Sequence, residues 1–138
     1  MTPRGIRNNN PLNIRRSNTP WLGKCDRVLD PEFEQFRNIL YGLRAAFLTI
    51  RSYEIKHHVS TVEKILLRWA PPTENNSEAY INFVSGRMNV QPTTQIDSTD
   101  KLTMCRLVSA MAFYENGVEV PFDKIEQAYN MAFLPKNT

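Results

Sequence analysis

The residue in this sequence best placed to do chemistry is Glu115. It closes an apolar helical stretch, Thr99–Glu115, in which Met104, Leu107, Val108, Met111 and Ala112 recur at helical spacing. Turning by roughly 100° per residue, the helix projects Glu115 from the middle of that same apolar face. A carboxyl group there points at the core or at a cleft beside it. It also sits in the last turn, where the helix macrodipole disfavours an anion. Burial and the dipole both favour the protonated form. A carboxylic acid kept protonated near neutral pH is the proton donor that glycosidic bond cleavage requires. The plain alternative is a frayed helix end from which Glu115 reaches water.

Glycosidases often use a second carboxylate. Asp26, Asp30 and Glu74 are available, and Asp26 follows the Trp21-Leu22-Gly23 turn. Glu74 comes after two prolines and before a helix, which suits either a helix cap or a hydrogen-bonding wall for a sugar. Asn10 and Asn13 lie on an irregular turn. Their amides can bind N-acetyl groups or brace the turn itself. Trp21, Trp69 and Tyr80 can stack on the C–H faces of sugars. Trp21 is the better ligand candidate because it stands on a loop, whereas Trp69 at a helix end beside prolines suits the core. His57 and His58 are adjacent, so their side chains diverge on a helix, and no H-E-x-x-H spacing exists. No metal site, phosphate loop, paired-cysteine motif or nucleophile elbow is expected, and no cofactor.

These residues need a scaffold. Arg4–Pro20 is rich in Asn, Pro and Arg without a helical period, and Asn8-Asn9-Asn10 before Pro11 must be extended or turning. A small, irregular β element is expected near the N-terminus, with Asn13–Arg15 as a candidate strand. About five helices follow. Tyr41–Ile55 carries Leu43, Ala46, Phe47, Ile50 and Tyr53 as an inward stripe. Ser60 and Glu63 form a capping-box pattern for a helix running through Ile65, Leu66 and Trp69 and stopping before Pro71-Pro72. Ser77 caps a helix with Tyr80, Ile81 and Val84. Gln91–Ser98 is a polar linker, and Ser98 or Thr99 caps the helix that ends at Asn116-Gly117, where glycine suits the left-handed cap. Pro121–Phe133 is the last helix, with Ile125, Ala128, Tyr129 and Ala132 facing in.

The 138 residues, 41% hydrophobic and 22% charged, suit one domain (residues 1–138) with a real core. The net charge of +3 suits any anionic partner without choosing one. The basic residues do not line one helix and no recognition-helix motif is present, so nucleic acid is not expected as a partner. Cys25 and Cys105 are far apart in sequence; Cys105 falls on a buried helix face, and a disulfide is possible but not favoured. Met1–Arg16 is polar and basic, unlike a signal peptide, and no stretch is long enough to span a membrane. A protein made in the cytoplasm and carried to the cell wall by other machinery fits this pattern.

The opening Arg4-Gly5-Ile6-Arg7-Asn8-Asn9-Asn10-Pro11-Leu12-Asn13-Ile14-Arg15 resembles a group of phage and prophage virion-associated lysozyme-like proteins, which typically open R-G-I-R-N-N-N-P-G-N-I-R. The likeness continues through Trp21-Leu22-Gly23, Phe33-Glu34-Gln35-Phe36, Gly42-Leu43-Arg44-Ala45, Arg68-Trp69-Ala70-Pro71-Pro72-Thr73-Glu74-Asn75 and Tyr80. Leu12 stands where that group carries Gly, which puts a side chain where backbone would otherwise approach a ligand. A second resemblance is to glucosaminidases and lytic transglycosylases of the lysozyme superfamily. Their E-S-G helix end, N-N-L-F-G-I-K-like turn, W-x-G and F-x-x-[YF] blocks occur here in rotated order, with Tyr114-Glu115-Asn116-Gly117 last. That implies a circularly permuted lysozyme-like fold, a rearrangement tolerated when the termini are close together.

The resemblance implies a peptidoglycan glycosidase, whether muramidase, glucosaminidase or lytic transglycosylase. Glu115 is then the acid, Asn10, Asn13, Trp21, Glu74 and Tyr80 are the sugar contacts, and the substrate's own acetamido or 6-hydroxyl group assists. The other reading is a non-catalytic virion or tail component that binds peptidoglycan or another virion or secretion-system protein. The two differ in the surroundings of Glu115. An enzyme needs it at the floor of a groove flanked by Asn13 or Trp21; a structural protein has it paired with an arginine or exposed.

Overall fold

A computed structural model describes residues 2–72 and 76–134. The chain is mainly helical: α1 (Arg4–Arg7), α2 (Ile39–His57), α3 (Val62–Trp69), α4 (Ser77–Met88), α5 (Lys101–Asn116) and α6 (Phe122–Phe133). The helix not anticipated is α1, a single turn entered from Pro3, whose φ of −56° already suits a helix start. One turn is too short to show a 3.6-residue period. The expected β element near the N-terminus is reduced to isolated antiparallel bridges, Arg15 with Phe33 and Lys24 with Phe36.

Helix α5 is the axis of the core. Met104, Cys105, Leu107, Val108, Ala110, Met111 and Ala112 are all buried, so much of its circumference is enclosed. It packs against α4 and α6, while α2 lies along α6 and α3 against α4. Phe47 of α2 meets Tyr129 and Phe133 of α6 edge-on at 5.4 and 6.1 Å, an arrangement that aligns ring edges with ring faces. Both cysteines are free, and burial pushes the Cys105 thiol up to about 11. Among the described residues no helix is long and apolar enough to cross a membrane.

The helix caps fall one or two residues from where the sequence suggests. Thr61, not Ser60, accepts from Lys64 N to start α3, and Asn76, not Ser77, accepts from Ala79 N to start α4. Asp100 caps α5 in place of Ser98 or Thr99. The serines are engaged in tertiary bonds instead. Ser60 donates to Gln95 at 2.6 Å, Ser77 to the Ala70 carbonyl at 3.0 Å, and Ser98 to Glu54 at 2.7 Å. Local pattern ranks the possible cappers; the fold decides which side chain is left for the task.

The irregular N-terminal segment is held by polar side chains. Asp30 is nearly enclosed and accepts from Arg4 (2.6 and 2.7 Å), Asn8 (3.0 Å) and the backbone amides of Glu32 and Phe33 (both 2.9 Å). The Arg4 guanidinium, above all, holds that carboxyl well below the usual carboxylate range. Glu34, fully buried, pairs with Lys24 at 2.9 Å. Leu12 is buried at 1% exposure and packs into the core beside the cleft that Asn13 and Glu115 line.

Gly5 of α1 is where this segment meets α5. A β-carbon at Gly5 falls 2.5 Å from Asn116 Oδ1, 3.0 Å from the Asn10 carbonyl and 3.2 Å from Asn13 Oδ1. Gly5→Ala is therefore expected to destabilise the fold by about 1–3 kcal/mol, the usual cost of overpacking, measured by urea denaturation. A neutral effect there contradicts the close packing of α1 on the end of α5.

A candidate active site at the end of helix α5

Helix α5 stops at Gly117, whose φ of 71° is left-handed and whose N–H bonds the Phe113 carbonyl at 2.7 Å. This fixes Glu115 and Asn116 in the final turn. Asn116 is buried and its Nδ2 donates to the Pro11 carbonyl at 2.7 Å and to the Ala112 carbonyl at 2.8 Å. Beside it, Asn13 donates from Nδ2 to Glu115 Oε1 at 2.8 Å. Asn13 reaches that position with φ of 53°, a left-handed conformation that asparagine tolerates. Its own amide bonds the Asn10 carbonyl at 2.9 Å. On the other side of the loop, Trp69 Nε1 donates to the Leu12 carbonyl at 2.9 Å.

These contacts surround a cleft of about 260 Å³. Asn13 and Glu115 line it together, with Arg15 and Phe33 from the N-terminal segment and Tyr53 and Trp69 from α2 and α3. The Tyr53 and Trp69 rings meet edge-on at 6.1 Å. The Arg15 guanidinium lies 5.3 Å from the Phe33 ring centre, and that of Arg68 lies 5.0 Å from the Tyr53 ring centre. The cleft thus has an acid, an amide and aromatic walls, the mixture that polar ligands with C–H faces require.

Burial raises the proton affinity of Glu115 above that of an ordinary glutamate; the hydrogen bond from Asn13, and the Tyr80 hydroxyl nearby, pull it partly back. Tyr80 is 1% exposed and stacks on Tyr114 with ring centres 4.1 Å apart. Its hydroxyl faces Glu115 without the alignment of a good hydrogen bond. Burial first, and the Glu115 charge second, keep the phenol protonated far above its ordinary range.

Of the residues expected to contact sugar, the structure places Asn13 in the cleft with Glu115. Asn10 is fully buried and braces the turn: Oδ1 accepts from Ile14 N at 2.9 Å, and Nδ2 donates to the Ile14 and Glu34 carbonyls at 3.0 Å. Tyr80 backs the acid from within the core. Neither is among the residues that line the cleft, where a sugar contact was expected of both. Trp21 is not among the lining residues either. Its turn is pinned where Gly23 packs against the Tyr41 ring at the start of α2, with no room for a β-carbon. Glu74 lies outside the described residues.

Asp26 is exposed and pairs with Arg37 at 3.3 Å, and Asp30 is enclosed under Arg4, so neither serves as a second acid across the cleft. Among the described residues Glu115 is the one carboxylate in the lining, and no group of His, Cys, Asp and Glu could hold a metal ion. Sequence reasoning assigned Trp69 to the core and passed over Arg15, Phe33 and Tyr53 as cleft residues. For Trp69 the usable signal was the indole N–H, which needs an acceptor when half-buried at a helix end.

The raised proton affinity of Glu115 makes a prediction about stability. The folded state holds this proton to higher pH than the unfolded chain, whose glutamates titrate near 4.3. Stability from Glu115 is therefore complete below that value and is lost as pH rises through the folded value. Glu115→Gln keeps the Oε1 acceptor and cannot ionise. Its thermal midpoint should exceed that of the wild type at pH 7, and the two should converge by pH 3. A difference that does not change with pH contradicts the assignment.

No protein-family model matches the chain. It is 36% identical over 134 residues to Protein P5 of Pseudoalteromonas phage PM2, an alignment spanning 94% of this chain and 82% of that protein. The chain belongs to the same family as that phage protein.

Proposed function

We propose that this chain is a single-acid glycosidase acting on peptidoglycan glycan strands, on a circularly permuted lysozyme-like framework. The observation that carries the reading is Glu115, partly buried, with its proton affinity raised by burial, and facing a cleft with an amide donor on its carboxylate. Glu115 donates its proton to the glycosidic oxygen, and the electron pair of the C–O bond leaves with that oxygen. The anomeric carbon is captured from within the sugar. If the 6-hydroxyl attacks, its proton returns to Glu115 and an anhydro end forms. If the acetamido oxygen attacks, water later opens the ring it makes and the product is hydrolytic. Tyr53 and Trp69 supply surfaces for sugar C–H faces.

The kinship with a phage protein supports delivery to the wall by a phage particle. It equally favours a second reading, a virion component that uses the cleft to bind glycan without cutting it.

Digestion of purified peptidoglycan, with products read by mass spectrometry, separates the two. Wild type should release soluble muropeptides, and Glu115→Gln should lose 100-fold or more of the rate, on the order of what a general acid contributes. Anhydro ends mark the transglycosylase route. Pull-down of both proteins on intact sacculi without release supports the binding component instead.

A further inference from the structure

The contact between Asn13 and Glu115 has a chemical consequence. A carboxylic acid carries its proton on one oxygen. An oxygen already accepting an N–H bond is the poorer site for that proton, because donor and acid hydrogen would face each other. Asn13 Nδ2 donates to Oε1 at 2.8 Å. We propose that Asn13 is a positioning residue for Glu115: by occupying Oε1 it assigns the acidic proton to Oε2, and it holds the carboxylate once that proton has left.

The local structure is arranged to keep Asn13 in this pose. Its left-handed φ of 53° is stabilised by the bond from its backbone N–H to the Asn10 carbonyl. Asn10 is in turn bonded through both side-chain atoms. The opposite end of the Asn13 amide, Oδ1, is buried without a partner and packs towards Gly5. The amide thus presents its donor end to Glu115. The other groups around the carboxyl are Tyr80 from α4, whose hydroxyl also favours the anion, and Arg15 and Tyr53 lining the same cleft. Burial raises the proton affinity of Glu115, and the Asn13 amide and the Tyr80 hydroxyl lower it.

In the proton transfer, the O–H bond at Oε2 breaks as the bond to the leaving oxygen forms. The charge left on Glu115 spreads to Oε1, where the Asn13 N–H bond strengthens. Asn13 therefore acts on the acid and its conjugate base, not on the sugar. The role in catalysis rests on the glycosidase reading, whereas the proton assignment stands without it.

The test is carbon-detected NMR titration of the Glu115 carboxyl in the full chain. Asn13→Gly removes the amide and accepts a positive φ without strain. Loss of one hydrogen bond to a charged acceptor should move the titration midpoint upward by about one pH unit, a tenfold gain in proton affinity. Asn13→Asp keeps the shape and the left-handed backbone but exchanges the donor for a charge. It should move the midpoint up as well, and it provides the measurement if the glycine variant does not fold. An unchanged midpoint overturns the proposal. A lowered midpoint in Asn13→Gly also overturns it, since Asn13 would then have been accepting the acid's proton through its oxygen. On peptidoglycan, the basic limb of the pH–rate profile should follow the same upward shift, with kcat falling and KM little changed. A raised midpoint without any cleavage by wild type overturns the glycosidase reading and leaves the proton assignment intact.

Discussion

Everything at the cleft depends on the grip of the end of α5 on the Pro11–Asn13 loop. Asn116 holds the Pro11 carbonyl, Glu115 takes the Asn13 amide, and Trp69 holds the Leu12 carbonyl from the opposite side. The loop has no secondary structure of its own, and its backbone polar groups would be costly to enclose without partners. Side chains from a helix end and from α3 satisfy them. The same bonds set the distance between the acid and the cleft wall. Loop order and site geometry are consequently one problem with one solution, and Gly5 lets α1 close over it.

The rest of the N-terminal segment follows the same logic on a larger scale. With only isolated bridges among the described residues, it lacks a sheet ladder to satisfy its backbone. Asp30 and Asn10 take that role, each bonding several groups that have no ladder partner. An acidic residue in such a position costs desolvation, and the Arg4 guanidinium more than offsets it, which is why the Asp30 carboxyl stays ionised. The contrast with Glu115 is instructive. Both carboxyls are withdrawn from water, but one faces a cation and three further N–H bonds, and the other faces an amide, a phenol and apolar walls. Environment alone holds the first as a fixed anion and raises the proton affinity of the second.

How much of this was legible in the sequence depends on the range of the interaction. Helix periodicity is local, so the five longer helices and the inward face carrying Glu115 could be read. The partner of Glu115 is 102 residues away in the chain, so its identity could not be derived from spacing. Asn10 and Asn13 have the same side chain three residues apart, yet one is sealed into the turn and the other faces the acid. A left-handed φ at Asn13 makes that difference, and no residue pattern distinguishes it from its neighbours. Trp69 shows the converse ambiguity. An indole at an apolar helical position reads as core, and here the ring is shared between the interior and the cleft wall while its N–H serves the loop. Trp21 was misread because a loop position looks available; its turn is instead seated on Tyr41 at the far end of α2.

The choice of a helix C-terminus for the acid has a physical logic of its own. The carbonyls of the last turn lack helical N–H partners and carry the negative end of the macrodipole. Asn116 bonds back to the Ala112 carbonyl and Gly117 to that of Phe113, which satisfies part of this end without bringing in a cation. No basic residue occupies the last turn of α5. A lysine or arginine there would stabilise the helix and the Glu115 anion together, and so remove the bias toward the proton.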